Sequence, residues 1–138
     1  MAILTRDEIN AWFDDGPAWI RMATVGRDGY PHVVPIGYFR LGEEIIVPVR
    51  GQRLTNLRRN PKVSLLLDEG RARPELKGVV IQGDAVVVDD DAERLELTRA
   101  GARQRGVPED QLPTESRRGR TFARIRPSKI ASWDNSRP

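Results

Sequence analysis

Cysteine is absent from the 138-residue chain, and histidine occurs only once, at His32. Without cysteine the chain cannot form disulfides, thiolate zinc sites or iron–sulfur clusters, and it has no cysteine nucleophile. A single histidine also excludes a metal site built from several imidazoles. We therefore expect no metal centre, and the lack of cysteine is consistent with a reducing compartment.

Long apolar runs and a strong excess of one charge are also missing. No apolar run exceeds the length of a strand, and acidic residues follow the first few positions, so we expect neither a membrane span nor an export signal. Basic residues outnumber acidic ones by 23 to 20, both signs are interspersed, and aromatic residues are few. Nucleic-acid binding requires a one-sided basic surface with interleaved aromatics. We therefore expect a cytoplasmic protein without a nucleic-acid or membrane partner.

The chain has the length of one ordinary domain, and no linker or repeat interrupts residues 1–138. The segment Thr5–Glu8 has the pattern of a capping box, which predicts a helix that ends at Gly16-Pro17. Two further helices are predicted over Gln52–Asn60 and Asp91–Arg105, the latter preceded by an acidic run that suits the positive end of its dipole.

Apolar segments separated by turn residues predict the strands Trp19–Val25, Tyr30–Phe39, Glu44–Val49, Lys62–Leu67, Leu76–Asp89 and Thr121–Arg126. Pro31 and Pro35 indicate an edge strand or an irregular course, and Gly83 indicates a bulge. Residues 127–133 are predicted to be a short tail, and Gly106–Gly119 a long polar loop. Several antiparallel strands with few helices predict a mainly β fold, a closed or partly closed barrel with peripheral helices.

Familiar catalytic motifs do not occur: the sequence has no nucleophile elbow, P-loop or dinucleotide-binding glycine pattern. His32 is either a general base or a strand histidine close to a cofactor or the surface. Because the sequence shows no acidic partner that would orient it, we expect His32→Ala to keep most of the activity.

The stretch Arg50–Pro61 follows a strand, contains Gly51 and opens a helix. Free amides and the helix dipole bind anions at such a start, and Arg53 adds a charge-assisted donor. The alternative is a surface helix with solvated arginines. From the residues alone, both interpretations remain open.

Four segments occur in an order and spacing that cover nearly the whole chain. They are Ala23–Pro35 (ATVGRDGYPHVVP), Arg53 with Asn56–Leu66 (NLRRNPKVSLL), Ile81–Ala85 (IQGDA) and Arg126–Ile130 (RPSKI). Together they resemble the pyridoxamine-phosphate-oxidase-like split-barrel superfamily, and most of all its short members that use the deazaflavin coenzyme F-420. Relatives often carry lysine where Arg53 stands, so the resemblance fixes the position of the cofactor better than its identity.

The resemblance implies an antiparallel Greek-key split barrel that forms a homodimer, with a cofactor in a groove between the chains. The second and third strands would hold the ring system, and the turn around Arg50 and Arg53 would hold the phosphate. Trp133 would either cover the ring of the partner chain or pack the tail. The implied cofactor-binding residues are Val33, Val34, Pro35, Val49, Arg50, Arg53, Asn56 and Trp133.

These features favour an F-420-dependent reductase that transfers hydride between the deazaflavin and a small unsaturated molecule. Two alternatives remain: an FMN-binding oxidase or reductase of the same fold, and a non-catalytic protein that binds haem, a tetrapyrrole or a flavin. No catalytic side chain is identified, and the substrate cannot be derived from the sequence. The loop Gly106–Gly119 is expected to shape the substrate pocket or to lie beside it.

Overall fold

A computed structural model of the chain describes residues 2–116 and 119–138. These residues form three α-helices, seven strands and two short 3-10 helices, at Arg73–Glu75 and Glu109–Gln111. The other elements are α1 (Arg6–Asp15), β1 (Ile20–Val25), β2 (Pro31–Ile36), β3 (Phe39–Leu41), β4 (Glu44–Val49), α2 (Gly51–Arg59), β5 (Lys62–Glu69), β6 (Lys77–Val87), α3 (Asp91–Gln104) and β7 (Thr121–Asp134).

The described strands form one antiparallel sheet in the order β2-β1-β5-β6-β7-β4-β3. The sheet is curled into a half-barrel, which confirms the predicted mainly β split-barrel class. Because α2 connects β4 to β5, the chain crosses from one side of the sheet to the other at this helix. Pro31 and Pro35 lie on the edge strand β2, where a residue without an amide proton costs no ladder bond.

The concave face of the sheet carries the main core. Its fully buried side chains include Met22, Leu65 and Ile81, which come from β1, β5 and β6. The helix α1 adds Ile9, Trp12 and Phe13, the three residues on its apolar face. Burial of each such side chain stabilises the fold by roughly 1.5–3 kcal/mol, so α1 is held on the sheet by packing.

The helices α1 and α3 both begin with side-chain caps. Thr5 accepts a hydrogen bond from the amide of Glu8 at 3.1 Å, and the Glu8 carboxylate accepts from the amide of Thr5 at 3.2 Å, which confirms the predicted capping box. Asp90 caps α3 by accepting from the amide of Glu93 at 2.9 Å. At both helix starts, a side-chain oxygen of the chain therefore accepts a hydrogen bond from one of the backbone N–H groups that lack a partner within the helix.

The prediction of one continuous strand over Tyr30–Phe39 was wrong. The segment divides into β2 and β3 because Tyr38 leaves the sheet and packs against α1. The Tyr38 hydroxyl lies 2.7 Å from the carbonyl of Pro17 and 3.0 Å from that of Phe13. Burial raises the pKa of this phenol, with a smaller contribution from the charge of Asp14.

The predicted tail at residues 127–133 was also wrong, because β7 continues to Asp134 and pairs with β6 along its length. The predicted irregularity at Gly83 is confirmed, but the extra residue, Ser128, lies on β7. A Cβ atom at Gly83 would lie 2.3 Å from the carbonyl oxygen of Arg126, so only glycine permits this close approach. Pro127 follows directly, where the ladder is already interrupted.

The segment Gly106–Gly119 contains the short 3-10 helix and a buried Leu112, and Arg99 donates to the carbonyl of Pro113 at 2.9 Å. Residues 117 and 118 of this predicted loop lie outside the described residues. The described part lines a cavity of about 510 Å³ against α3 and the start of β7. In residues 2–116 and 119–138, no helix has the length and apolar character needed to cross a membrane.

Candidate functional site

The start of α2 lies directly after the buried end of β4. Gly51, its first residue, has φ of +63°, a left-handed conformation that favours glycine. The residue before it, Arg50, provides no side-chain cap, and the first turn contains no acidic residue. The first amides of α2 therefore lack the side-chain acceptors that α1 and α3 provide for theirs.

Two arginines flank these amides. Arg50 is exposed, whereas Arg53 is partly buried, on the helix face that also carries the buried residues Asn56 and Leu57. The Nε atom of Arg53 is enclosed by protein and has no hydrogen-bond partner among the described residues. Burial lowers the pKa of Arg53, and the neighbouring charge of Arg50 lowers it further. An anion at this point would supply the missing counter-charge.

Asn56 attaches α2 to the sheet. Its side chain is completely buried, and its Nδ2 donates to Oγ1 of Thr24 on β1 at 3.0 Å. Its Oδ1 accepts from Nε2 of Gln52 at 2.8 Å and from Arg59 at 3.3 Å. Since its oxygen and one N–H are engaged within the chain, Asn56 fixes the position of α2 and of Gln52.

A groove of about 500 Å³ separates α2 from the turn between β1 and β2, and this volume is within the range of small-molecule sites. It contains an exposed aromatic ring, Tyr30, as well as His32, whose Nδ1 is buried and has no partner among the described residues. Its lining residues are Gly26, Arg27, Asp28, Tyr30, Pro31, His32, Gln52 and Asn56. We call this space the α2 groove.

A second cavity of about 410 Å³ lies beyond Pro31, on the convex face of the sheet. Its lining combines residues of β1 with residues of β5 and β6, among them the polar Ser64 and Gln82. Pro31 contributes to both spaces, so the edge strand β2 separates a groove on the helix side from a shallow depression on the convex side.

The predicted apolar residues of β2 point to opposite faces. Val34 is paired with the buried Met22 and therefore faces the concave side, whereas Val33 and Pro35 are exposed and face the convex side. Val49 is fully buried in the core, so its side chain does not line the α2 groove. A molecule on one face of β2 can therefore contact Val34 or Val33 through their side chains, but not both.

Trp133 is the second-last residue of β7 and pairs with Gly78 on β6. A Cβ atom at Gly78 would be 2.2 Å from the indole ring, so the ring lies directly over this glycine. The pairing places Trp133 on the convex face, which it shares with Val33 and Pro35. Of the eight predicted residues, Arg53 and Asn56 thus lie on α2 with Arg50 at its N-cap, and Trp133 lies elsewhere on the sheet.

Sequence reasoning assigned no role to Gln52, Thr24 or Tyr30. The spacing of Gln52 and Asn56, four residues apart, was the available signal, because such residues are neighbours on one helix face. The partnership between Asn56 and Thr24 spans 32 positions, and no local pattern indicates it.

The half-barrel sheet and its groove define a split-barrel protein of the flavin-binding kind. The family pattern of pyridoxamine 5'-phosphate oxidase matches residues 5–134, and the chain belongs to this family, whose fold binds flavins such as FMN. This confirms the superfamily that the sequence motifs indicated.

Individual relatives are more distant. An uncharacterized protein of Rhizobium meliloti, RA0666, is 38% identical over 58 residues, which is 41% of this chain and only 38% of that protein. The crystal structure of the conserved hypothetical protein Rv2991 of Mycobacterium tuberculosis superposes with a TM-score of 0.80 at 25% identity, covering 96% of this chain and 86% of the other. A structure described as an F420 reductase gives a TM-score of 0.61 at 21% identity, covering 86% and 92%.

Proposed function

We propose that the protein is an F-420-dependent reductase that binds the phosphate of its cofactor at the start of α2. The observation that carries this proposal is the unsatisfied first turn of α2, which combines free amides, the exposed Arg50 and the partly buried Arg53. The family membership and the fold shared with an F420 reductase support a flavin-type cofactor.

The residues of the site suit such a group. The α2 groove has the volume of a small-molecule site, and Gln52, which lines it, is the neighbour of Arg53 in the first turn of α2. A phosphate bound at this turn would supply the counter-charge that the partly buried Arg53 lacks among the described residues. Tyr30 adds an exposed aromatic surface to the groove. In this arrangement Arg50, Arg53 and the amides bind the phosphate, and Asn56 holds α2 in position against β1.

The chemistry of the reaction comes from the cofactor, because deazaflavins and flavins carry out hydride transfer themselves. The protein then has to bind, orient and shield the reacting molecules. Asp28, the acidic residue of the α2 groove, accepts a hydrogen bond from the amide of Tyr30 at 3.1 Å within the turn. This engagement suits a structural role for Asp28 and a site without a dedicated acid–base pair.

The proposal includes a homodimer. The convex face of the sheet carries apolar side chains that a second copy would cover, among them Val33, which is 59% exposed, together with Leu66 and Val80. A symmetric pair is the commonest oligomer. Light scattering at micromolar concentration is expected to give twice the mass of one chain, and a monomer with full cofactor affinity would contradict this part of the proposal.

The cofactor is tested directly by absorbance and mass analysis of freshly purified protein, followed by fluorescence titration with F-420 and FMN. We expect tighter binding of F-420, and oxidation of reduced F-420 when an enone is added as acceptor. A yellow protein that retains FMN, or tighter FMN binding, would favour the FMN alternative. A haem spectrum without turnover would favour a binding protein.

A further inference from the structure

A pocket of about 460 Å³ lies between the start of α1 and the second half of β7. Its volume is within the range of small-molecule sites, and no described residue lines both this pocket and the α2 groove. Its lining residues are Ile3, Leu4, Arg6, Ile9, Pro127, Ser128, Ile130, Ala131 and Ser132. We call this space the edge pocket, and the proposed function gives it no role.

The pocket lies where the side of β7 opposite β6 has no neighbouring strand. On that side β4 pairs with β7 up to Ile125, and the N-terminal segment forms one isolated bridge between Ala2 and Asp134. No other described strand pairs with this side of β7. Pro127 and the bulge at Ser128 make the open stretch irregular, which disfavours the addition of another strand. A small molecule therefore suits the pocket better than an extended peptide.

The open edge carries backbone donors that lack an acceptor. The amide and the carbonyl of Asp134 bond to Ala2 at 2.8 and 3.1 Å, so both groups point away from β6. The register is unbroken from Asp134 to Ile130, and backbone groups alternate in direction along a strand, so the amides of Ser132 and Ile130 also point away from β6. Neither amide has a hydrogen-bond partner among the described residues. Two N–H groups are thus directed to the side on which the edge pocket lies.

One cation and several apolar side chains complete the pocket. Arg6 is the first residue of α1 and forms no ion pair with a described residue. Leu4 and Ile9 are buried, and Ile130 packs against the main core, so these three form an apolar floor. No carboxylate occurs among the described lining residues. A guanidinium and free amides beside an apolar floor match a carboxylate group on an apolar body.

We propose that the edge pocket is a second binding site, which takes a small carboxylate with an apolar body, such as a short-chain fatty acid. The carboxylate accepts from the amides of Ile130 and Ser132 and is neutralised by Arg6, while the apolar part packs against Ile9. Ser128 lines both this pocket and the depression on the convex face, so the bound molecule lies beside that depression. The site is independent of the cofactor at α2, because its donors and its cation come from β7 and α1.

The test uses hexanoate and hexanamide, which have the same apolar body and differ in charge. Titration of the isotope-labelled full chain, followed by amide NMR spectra, reports directly on the two backbone donors. We expect the amide signals of Ile130 and Ser132 to shift on addition of hexanoate, with a dissociation constant of about 1 mM. Hexanamide should bind at least about tenfold more weakly, because it lacks the charge that Arg6 neutralises.

Two variants of equal charge change separate the pocket from the general surface. Arg6→Gln should weaken hexanoate binding about tenfold, and the helix should persist, since a cation in the first turn does not favour it. Lys129→Gln is the matched control, because Lys129 is exposed, lies next to Ile130 and is not a lining residue of the edge pocket. It should bind hexanoate like the parent. Circular dichroism checks that both variants are folded.

Three results would overturn the assignment of the edge pocket: unshifted amides at Ile130 and Ser132, equal affinity for hexanoate and hexanamide, or equal losses in the two variants. Signals that shift only in the first turn of α2 would place the anion there instead. Arg6→Gln should bind F-420 as the parent does. Failure of the parent to bind F-420 would contradict the proposed function and leave the hexanoate result standing.

Discussion

The first turn of α2 differs in charge from the first turns of α1 and α3. Acidic residues and a capping oxygen occupy the starts of α1 and α3, provided by Thr5 with Glu8 and by Asp90 with Glu93. The start of α2 has neither, and arginines stand at its N-cap and at its third residue. Acids oppose the positive end of the helix dipole favourably, whereas cations there are unfavourable unless an anion binds between them.

The arginines also differ in whether an acidic residue of the chain neutralises them. Arg58, in the last turn of α2, forms two hydrogen bonds with Asp89, and hydrogen bonding to this partner raises its pKa. Arg124 contacts both Glu44 and Glu93. Arg53 has no such acid among the described residues, and burial lowers its pKa. The two ends of α2 therefore differ in charge compensation: Arg58 in the last turn is paired with Asp89, whereas Arg53 in the first turn has no acidic partner in the described part of the chain.

The largest expected effect comes from reversing the charge of Arg53. Arg53→Glu should abolish measurable binding of F-420, because the carboxylate repels the phosphate at the helix start. Arg53→Ala should weaken binding about tenfold to a hundredfold, as expected for loss of one charge-assisted bond of roughly 1.5–3 kcal/mol. Fluorescence titration measures the affinity, and circular dichroism confirms that the variants are folded.

Arg58→Ala is the matched control, since it removes the same side chain from the other end of α2. Its ion pair with Asp89 is exposed, so we expect nearly normal binding and little change in stability. If Arg53→Glu binds as well as the parent, or if Arg58→Ala loses as much affinity as Arg53→Ala, the phosphate does not bind at the first turn.

The next effect concerns stability. Asn56→Ala leaves the buried Thr24 hydroxyl without its donor and removes the bond from Gln52, so the free energy of unfolding should fall by about 1–3 kcal/mol. Urea denaturation measures this change. Gln52→Ala removes the exposed partner only and should cost less than about 1 kcal/mol. Equal losses for both variants would show that Asn56 does not attach α2 to the sheet.

Much of the fold follows from local patterns in the sequence. The capping box at Thr5, the end of α1 at Gly16 and the edge position of the proline-containing β2 all depend on residues close in the chain, and each is confirmed. The boundaries of β4, α2 and α3 lie within two residues of their predicted positions for the same reason.

The wrong predictions concern residues whose structural partners are distant in sequence. Tyr38 interrupts a strand because its hydroxyl contacts carbonyls in and after α1, and β7 continues past Pro127 because β6 lies beside it. The candidate site shows the same division. Arg50 and Arg53 were found from a local pattern, whereas the partnership of Asn56 with Thr24 arises only when α2 packs on β1.

A smaller effect should follow from giving α2 the kind of start that α1 and α3 have. Arg50 has an extended backbone, with φ of −158° and ψ of 169°, as N-cap residues commonly do. Arg50→Asp therefore provides a cap and should raise the free energy of unfolding by about 0.5–1 kcal/mol, while weakening F-420 binding about three- to tenfold. A variant that gains stability and also binds more tightly would contradict the anion-binding role of this turn.

The smallest effect is expected at the capped start of α1, where the anion belongs to the chain itself. A hydrogen bond from the backbone amide of Thr5 lowers the pKa of Glu8 below its ordinary value of 4.5, and the charge of Arg137 adds to this. A carboxyl group whose pKa is lower in the folded state stabilises the fold above its unfolded pKa, and this contribution is lost as the pH falls through the folded value.

Glu8→Gln removes the titrating group, so urea denaturation should show the parent more stable near pH 7 and the difference shrinking below pH 4.5. Binding of F-420 should not change in this variant. A stability difference that stays constant from pH 7 to pH 3, or a loss of cofactor affinity, would contradict a purely structural role for the acids at this helix start.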